Sequence, residues 1–257
     1  MTDGAHSRIR LRAIPDLEAK TFSLRVEPLP GRVTADEERL IDACIDLFVA
    51  AVNAGLCAGH RFDPWRSGAA VAASSAPDGT GADIACHDLD AGAARLLANL
   101  IRKALDERAS PMQVLVTGNR SGQAGWLAIV VDELPYPAVL STAPFEIDIA
   151  LPEESLEPVS MRLEFASPLS QAEIELLWPR VLFWKELVGA GAYFEPQSDP
   201  DERPDVDEIE IYQLSLSQVE VTVYGSVAAD AAFDGFVNML ARTQAELGST
   251  LLSVKIW

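Results

Sequence analysis

The sequence is poor in cysteine and histidine, with three of each among 257 residues, and it holds no long uninterrupted apolar run. Cys44, Cys57 and Cys86 are too few and too odd in number for a disulfide framework, so a reducing compartment and a cytoplasmic location are predicted. The richest helical stretch, around Leu40 to Leu56, carries Asp42, Asp46 and Asn53 and falls short of the roughly 18 to 20 apolar residues that span a bilayer. Residues 1–20 alternate charges with small residues and lack the apolar centre of a secretory signal.

Motifs are missing too. The chain has no G-x-x-x-x-G-K-[ST], no G-x-G-x-x-G after a strand, no G-x-S-x-G elbow and no H-E-x-x-H, which sets aside large classes of enzyme. Cys57, His60, Cys86 and His87 offer the donor set of a zinc site. Adjacent residues on a strand point to opposite faces, however, so Cys86 and His87 cannot converge, and no metal is assigned. Only His6, His60 and His87 could supply an imidazole, and none adjoins a recognisable nucleophile turn. No catalytic residue and no cofactor is assigned. Cys44 lies on the apolar face of a helix and is read as core.

What the sequence has in excess is acid. Thirty-nine acidic against 20 basic residues give a net charge of −19. Residues 1–32 hold six bases and four acids, so the remainder carries 14 bases and 35 acids, a net of −21. A field of this sign repels nucleic acid and anionic lipid and speeds association with a basic partner.

The chain also repeats itself. Ser23-Leu24-Arg25-Val26-Glu27 aligns with Ser160-Met161-Arg162-Leu163-Glu164, each alternating as a strand with one buried face. A capping box follows in both places, Thr34 with Glu37 and Ser170 with Glu173. Leu169 and Ile174 add a hydrophobic staple to the second. Helically spaced apolar residues come next: Leu40, Ile41, Cys44, Ile45, Phe48 and Val52, then Leu177, Val181, Trp184 and Val188. Both helices run out at Ala-Gly, Ala54-Gly55 and Ala190-Gly191, as a left-handed glycine cap requires. Pro179 is expected to kink the second helix or shift its start. Trp178, Phe183 and Trp184 are spread around that helix and cannot share one face.

A hairpin is expected over Glu208 to Leu214 and Gln218 to Tyr224, and a weaker one over Ala69 to Ser74 and Asp83 to His87. Second helices follow at Ala91 to Glu107 and Asp230 to Glu246, where Asn99-Leu100-Ile101 parallels Asn238-Met239-Leu240. Strands Met112 to Thr117 and Leu251 to Trp257 close the units. The offset drifts only from 136 (Thr34 to Ser170) to 139 (Asn99 to Asn238), as in a true internal repeat.

The reading is therefore an α+β protein: a tandem pseudo-duplicated β-α-β-β-α-β, ferredoxin-like pair of units with antiparallel sheets. Its parts are an N-terminal arm (1–20, expected to be mobile), a first unit (21–117), a connector (118–158) and a second unit (159–257). The connector should add two strands, Trp126 to Val131 and Phe145 to Ile149. Each unit leaves one sheet face uncovered, so the two sheets are expected to meet, or the connector to cover them.

This pattern points to a non-enzymatic acidic protein that holds a basic protein partner in an inhibitor, immunity-like or adaptor role, and binds neither nucleic acid nor membrane. Asp199, Asp201, Glu202, Asp205, Asp207 and Glu208 are the partner-binding candidates, although such a run also suits a plain solvated loop. The alternative is a small-molecule-binding protein or enzyme with its site in a groove between the repeats. Arg25 and Arg162 would there hold an anionic ligand, unless they pair across strands with Glu27, Glu164 or their neighbours.

Overall fold

The computed structural model describes residues 10–11, 21–28, 34–57, 68–72, 83–87, 92–105, 112–118, 127–130, 136–137, 143–151, 158–193, 208–224 and 230–257. Its elements are β1 (Arg10–Leu11), β2 (Thr21–Pro28), α1 (Ala35–Asn53), β3 (Gly68–Ala72), β4 (Asp83–His87), α2 (Ala93–Leu105), β5 (Met112–Gly118) and β6 (Leu127–Val130). There follow β7 (Glu146–Ile149), β8 (Val159–Phe165), α3 (Gln171–Gly189), β9 (Glu208–Ser215), β10 (Gln218–Tyr224), α4 (Asp230–Thr243) and β11 (Leu251–Ile256). The protein is thus α+β. No helix among the described residues is long and apolar enough to cross a membrane.

Two sheets form, one in the order β1-β6-β5-β2-β4-β3 and one in the order β7-β11-β8-β10-β9. Within them, β5-β2-β4-β3 and β11-β8-β10-β9 have the same connectivity, with every neighbouring pair antiparallel. The expected connector strands extend both sheets: β6 runs antiparallel beside β5, and β7 runs parallel beside β11. Arg10 and Leu11, from the arm expected to be mobile, pair with Val130 and Ile129.

Local chemistry explains the helix ends. Thr34 and Ser170 each accept a hydrogen bond from the backbone of the residue three further on, while Glu37 and Glu173 reach back to the cap. Each such cap stabilises by about 1 kcal/mol. Both helices finish in a Schellman motif. The N–H groups of Leu56 and Ala192 donate to Ala51 and Leu187, and those of Gly55 and Gly191 donate to Val52 and Val188. The glycines sit at φ +88° and +89°, where a side chain is strained. Pro179 does not displace the start of α3, which runs unbroken from Gln171 to Gly189. Having no N–H, it removes only the bond to the carbonyl four residues back.

The outer helices bury one stripe each, Cys44, Ile45, Phe48, Ala51 and Val52 on α1 and Leu177, Val181, Trp184, Leu187 and Val188 on α3. Trp178, by contrast, is exposed, and Phe183 is half-buried. The Trp184 indole donates to the Ala232 carbonyl at 2.7 Å and packs on Phe233 and Phe236. Helices α2 and α4 differ from α1 and α3 in being buried all round, through Leu96 to Ile101 and Phe236 to Ala241 without a break. A helix of that kind needs cover on every side: α2 packs against α1 and α4 against α3, and the turns that end α1 and α3 reach across to α4 and α2.

A Cβ on Gly55 would lie 2.7 Å from the Arg242 Cβ and 3.3 Å from the Asn238 carbonyl on α4. Reciprocally, one on Gly191 would fall on the Lys103 side chain of α2. Lys103 Nζ donates to the Gly189 carbonyl at 2.5 Å, and Asn99 Nδ2 donates to Ala192 at 3.2 Å and to the Tyr136 hydroxyl at 2.9 Å. Lys103 thus caps a carbonyl left open at the end of α3, and Asn99 holds the turn just beyond it. The halves therefore meet through helices. The expectation that the sheet faces meet fails for the five-stranded sheet, whose outer face carries exposed residues such as Tyr212 and Trp257.

Two expectations follow. The Tyr193 hydroxyl is fully buried without a hydrogen-bond partner and lies where a Cβ on Gly235 would sit. Gly235→Ala should destabilise by about 2 kcal/mol in urea unfolding. Tyr193→Phe, which removes an unpaired buried group, should be neutral or stabilise by up to about 1 kcal/mol and should rescue Gly235→Ala in part. Full additivity in the double variant would contradict this packing. In the second case, bonds from the Ser170 hydroxyl and N–H and from the Ser249 N–H hold the Glu173 carboxyl below its ordinary value. Its contribution is complete above the unfolded carboxylate pKa and lost as pH falls through the lowered one. Glu173→Gln should therefore flatten the acid limb of a stability-against-pH curve.

Candidate functional site

The five-stranded sheet has two unlike faces. Val159, Met161, Leu163 and Phe165 of β8 point into the core beside Val219, Val221 and Val223 of β10, and beside Leu251, Val254 and Ile256 of β11. The alternate residues form the other face, where register sets Asp148, Lys255, Arg162, Glu220 and Tyr212 side by side across five strands. The adjoining rows bring Glu146, Ser253, Glu164 and Gln218 together, then Trp257, Ser160, Thr222 and Glu210, with Tyr224 beside Glu208.

Six acids (Glu146, Asp148, Glu164, Glu208, Glu210, Glu220) and two bases (Arg162, Lys255) give this face a net charge of −4. It is open to solvent: Tyr212 is 45% and Trp257 41% exposed. Large aromatics on a rigid, charged sheet are the side chains that anchor protein interfaces, since they bury much area at small entropic cost.

Internal contacts hold these side chains in place. Arg162 gives two hydrogen bonds to Glu220, the shorter at 2.7 Å, and its guanidinium carbon lies 4.9 Å over the Trp257 ring. The Glu210 carboxylate accepts from the Tyr224 hydroxyl at 2.8 Å and from that of Tyr212. Those two bonds hold Glu210 below its ordinary value, and the bond that Tyr212 donates to Glu210 pushes Tyr212 up to about 12.

Arg162 thus lies on an outer sheet face, and its partner is Glu220 on the neighbouring strand. Arg25 occupies β2, opposite Asp83 and Leu115 in the other sheet. Of the acidic candidates, Glu208 opens β9 and is exposed, whereas Asp199, Asp201, Glu202, Asp205 and Asp207 lie outside the described residues, as do His6 and His60. Cys44, Cys57 and Cys86 are buried thiols. Burial lifts Cys44 to about 11 and Cys86 to about 12, which removes reactive thiolate at neutral pH. Sequence reasoning missed Tyr212, Tyr224, Glu210, Glu220 and Trp257. The alternation Glu208-x-Glu210-x-Tyr212 was a usable signal for one row, but no local pattern announces a contact between Arg162 and Trp257.

No family model matches the chain, and no curated protein matches it. Among solved structures, it is similar to a protein assigned as a glycine cleavage system transcriptional repressor, at 6% identity and TM-score 0.21, over 92% of this chain and 96% of that one. A protein of unknown role from Galdieria sulphuraria gives 10% identity and TM-score 0.21, over 93% and 97% of the two chains. The periplasmic protease PqqL from Escherichia coli gives 9% identity and TM-score 0.23, over 88% of this chain and 34% of that one. Scores this low carry neither fold nor activity across.

The Tyr212 clasp has a direct readout. An ultraviolet titration should show one phenol ionising near pH 12, and Glu210→Gln should return it towards the ordinary tyrosine value. An unchanged titration in the variant would mean that no such bond exists in solution.

Proposed function

We propose that this chain is a non-enzymatic, acidic cytoplasmic protein that holds a basic protein partner, as an inhibitor, immunity-like protein or adaptor does. The observation that carries the reading is the open outer face of the five-stranded sheet, with its net charge of −4 and its exposed Tyr212 and Trp257. A field of −19 over the whole molecule would steer a basic partner to it, and the aromatics would hold the partner once docked.

On this reading the body is a tandem pair of ferredoxin-like units, 21–117 and 159–257, with 118–158 as connector. Its support is the shared strand order, the twin capping boxes, the two left-handed glycines and their reciprocal packing on the second helix of the other half. A duplicated scaffold of this kind keeps one sheet face rigid and clear for a partner. The second reading, a ligand groove between the repeats, gains nothing from Arg162, which Glu220 and Trp257 engage on the outer face.

The test is affinity capture from host lysate with the native chain and with a Tyr212→Ala/Trp257→Ala variant, each eluted by a salt ramp. A basic protein held by the native chain, released by salt and lost in the variant is the expected result. Equal capture by both, or a bound small molecule with no protein in native mass spectrometry, would remove the proposal's main support. Once the partner is in hand, Glu208→Lys with Glu210→Lys should slow association roughly tenfold at low salt and much less at high salt.

A further inference from the structure

Strand β9 closes the order of the five-stranded sheet. Among the described residues no strand lies along its outer side, and alternate N–H and C=O groups there have no ladder partner among those residues. The four outermost strands of the two sheets are β1, β3, β7 and β9, with two, five, four and eight residues. The longest of them, Glu208-Ile209-Glu210-Ile211-Tyr212-Gln213-Leu214-Ser215, has no proline or lysine to blunt it against pairing, and its charges, Glu208 and Glu210, are acidic.

Its side chains divide by face. Ile209 and Ile211 lie on the core side opposite Val223 and Val221, and they are only partly buried where those valines are fully so. The core thins at this margin and ends in apolar surface that a further strand would cover. Glu208, Glu210 and Tyr212 lie on the outer side, with Glu210 fixed by two phenols.

We infer that β9 is a strand-addition site for an extended basic segment of the partner, which rests on the basic-partner reading above. The segment's backbone pairs with the β9 edge. Its apolar side chains, at every second position, cover Ile209 and Ile211. The intervening Lys or Arg side chains lie over Glu208, Glu210 and the Tyr212 ring, pairing charge and stacking cation on π-face. A second copy of this chain fits the edge less well, because it would bring two molecules of net charge −19 together.

The test is isothermal titration of the whole chain with four peptides of about eight residues, the length of β9. One alternates Lys and Val. Two others carry the same sequence N-methylated on the odd or on the even backbone nitrogens, and the fourth has Glu in place of Lys. The Lys peptide should bind and the Glu peptide should not, while one methylated form should lose roughly tenfold or more in affinity and the other should bind much as the parent does. Both methylated forms binding like the parent would overturn strand addition and leave a basic partner held by charge alone. Lys and Glu peptides behaving alike would overturn the basic-partner reading itself. A dimer in sedimentation velocity that the Lys peptide dissociates would give the edge to a second copy instead.

Discussion

The structure depends on how two glycines sit. Gly55 and Gly191 end α1 and α3 in the left-handed conformation, and the missing side chain lets each helix end press against the second helix of the opposite half. Conformation and contact demand the same residue for separate reasons. One reason is the backbone angle that a Schellman motif needs, and the other is the space that Lys103 and Arg242 already fill.

From that seam the rest of the layout follows. With α2 and α4 buried without a break and the ends of α1 and α3 reaching across to them, each half turns its helices towards the other. The five-stranded sheet is left with one face on the core and one in water, which is the usual condition of an antiparallel sheet and accounts for its alternation along β8 and β11. The acidic aromatic face is thus a by-product of helix packing on the far side of the strands.

Much of this was legible in the sequence wherever a short-range rule governs it. The capping boxes at Thr34 and Ser170, the glycine caps, the β9–β10 hairpin and the strand at Glu146 to Ile149 all came from spacing and alternation, because each is decided by residues a few positions apart. The seam was not legible. Lys103 meeting Gly189, or Asn99 meeting Ala192, joins residues some 86 and 93 positions apart, and nothing local encodes that choice. For the same reason Arg162 was a candidate for a groove. Its charge was visible, but its partner Glu220, 58 residues on, was not. Nor could periodicity show that α2 and α4 would be buried without a break from Leu96 to Ile101 and from Phe236 to Ala241, because Asn99 and Asn238 interrupt the apolar pattern there.

The unpaired hydroxyl of Tyr193 and the bare backbone of Gly235 fit together inside one part of the chain, since both residues lie within 159–257. Leu56, from the earlier part, stands 3.8 Å from where a Cβ on Gly235 would lie. Position 235 therefore joins two layers of packing: a methyl group there must displace the phenol, and the side chain next in reach belongs to the other side of the seam.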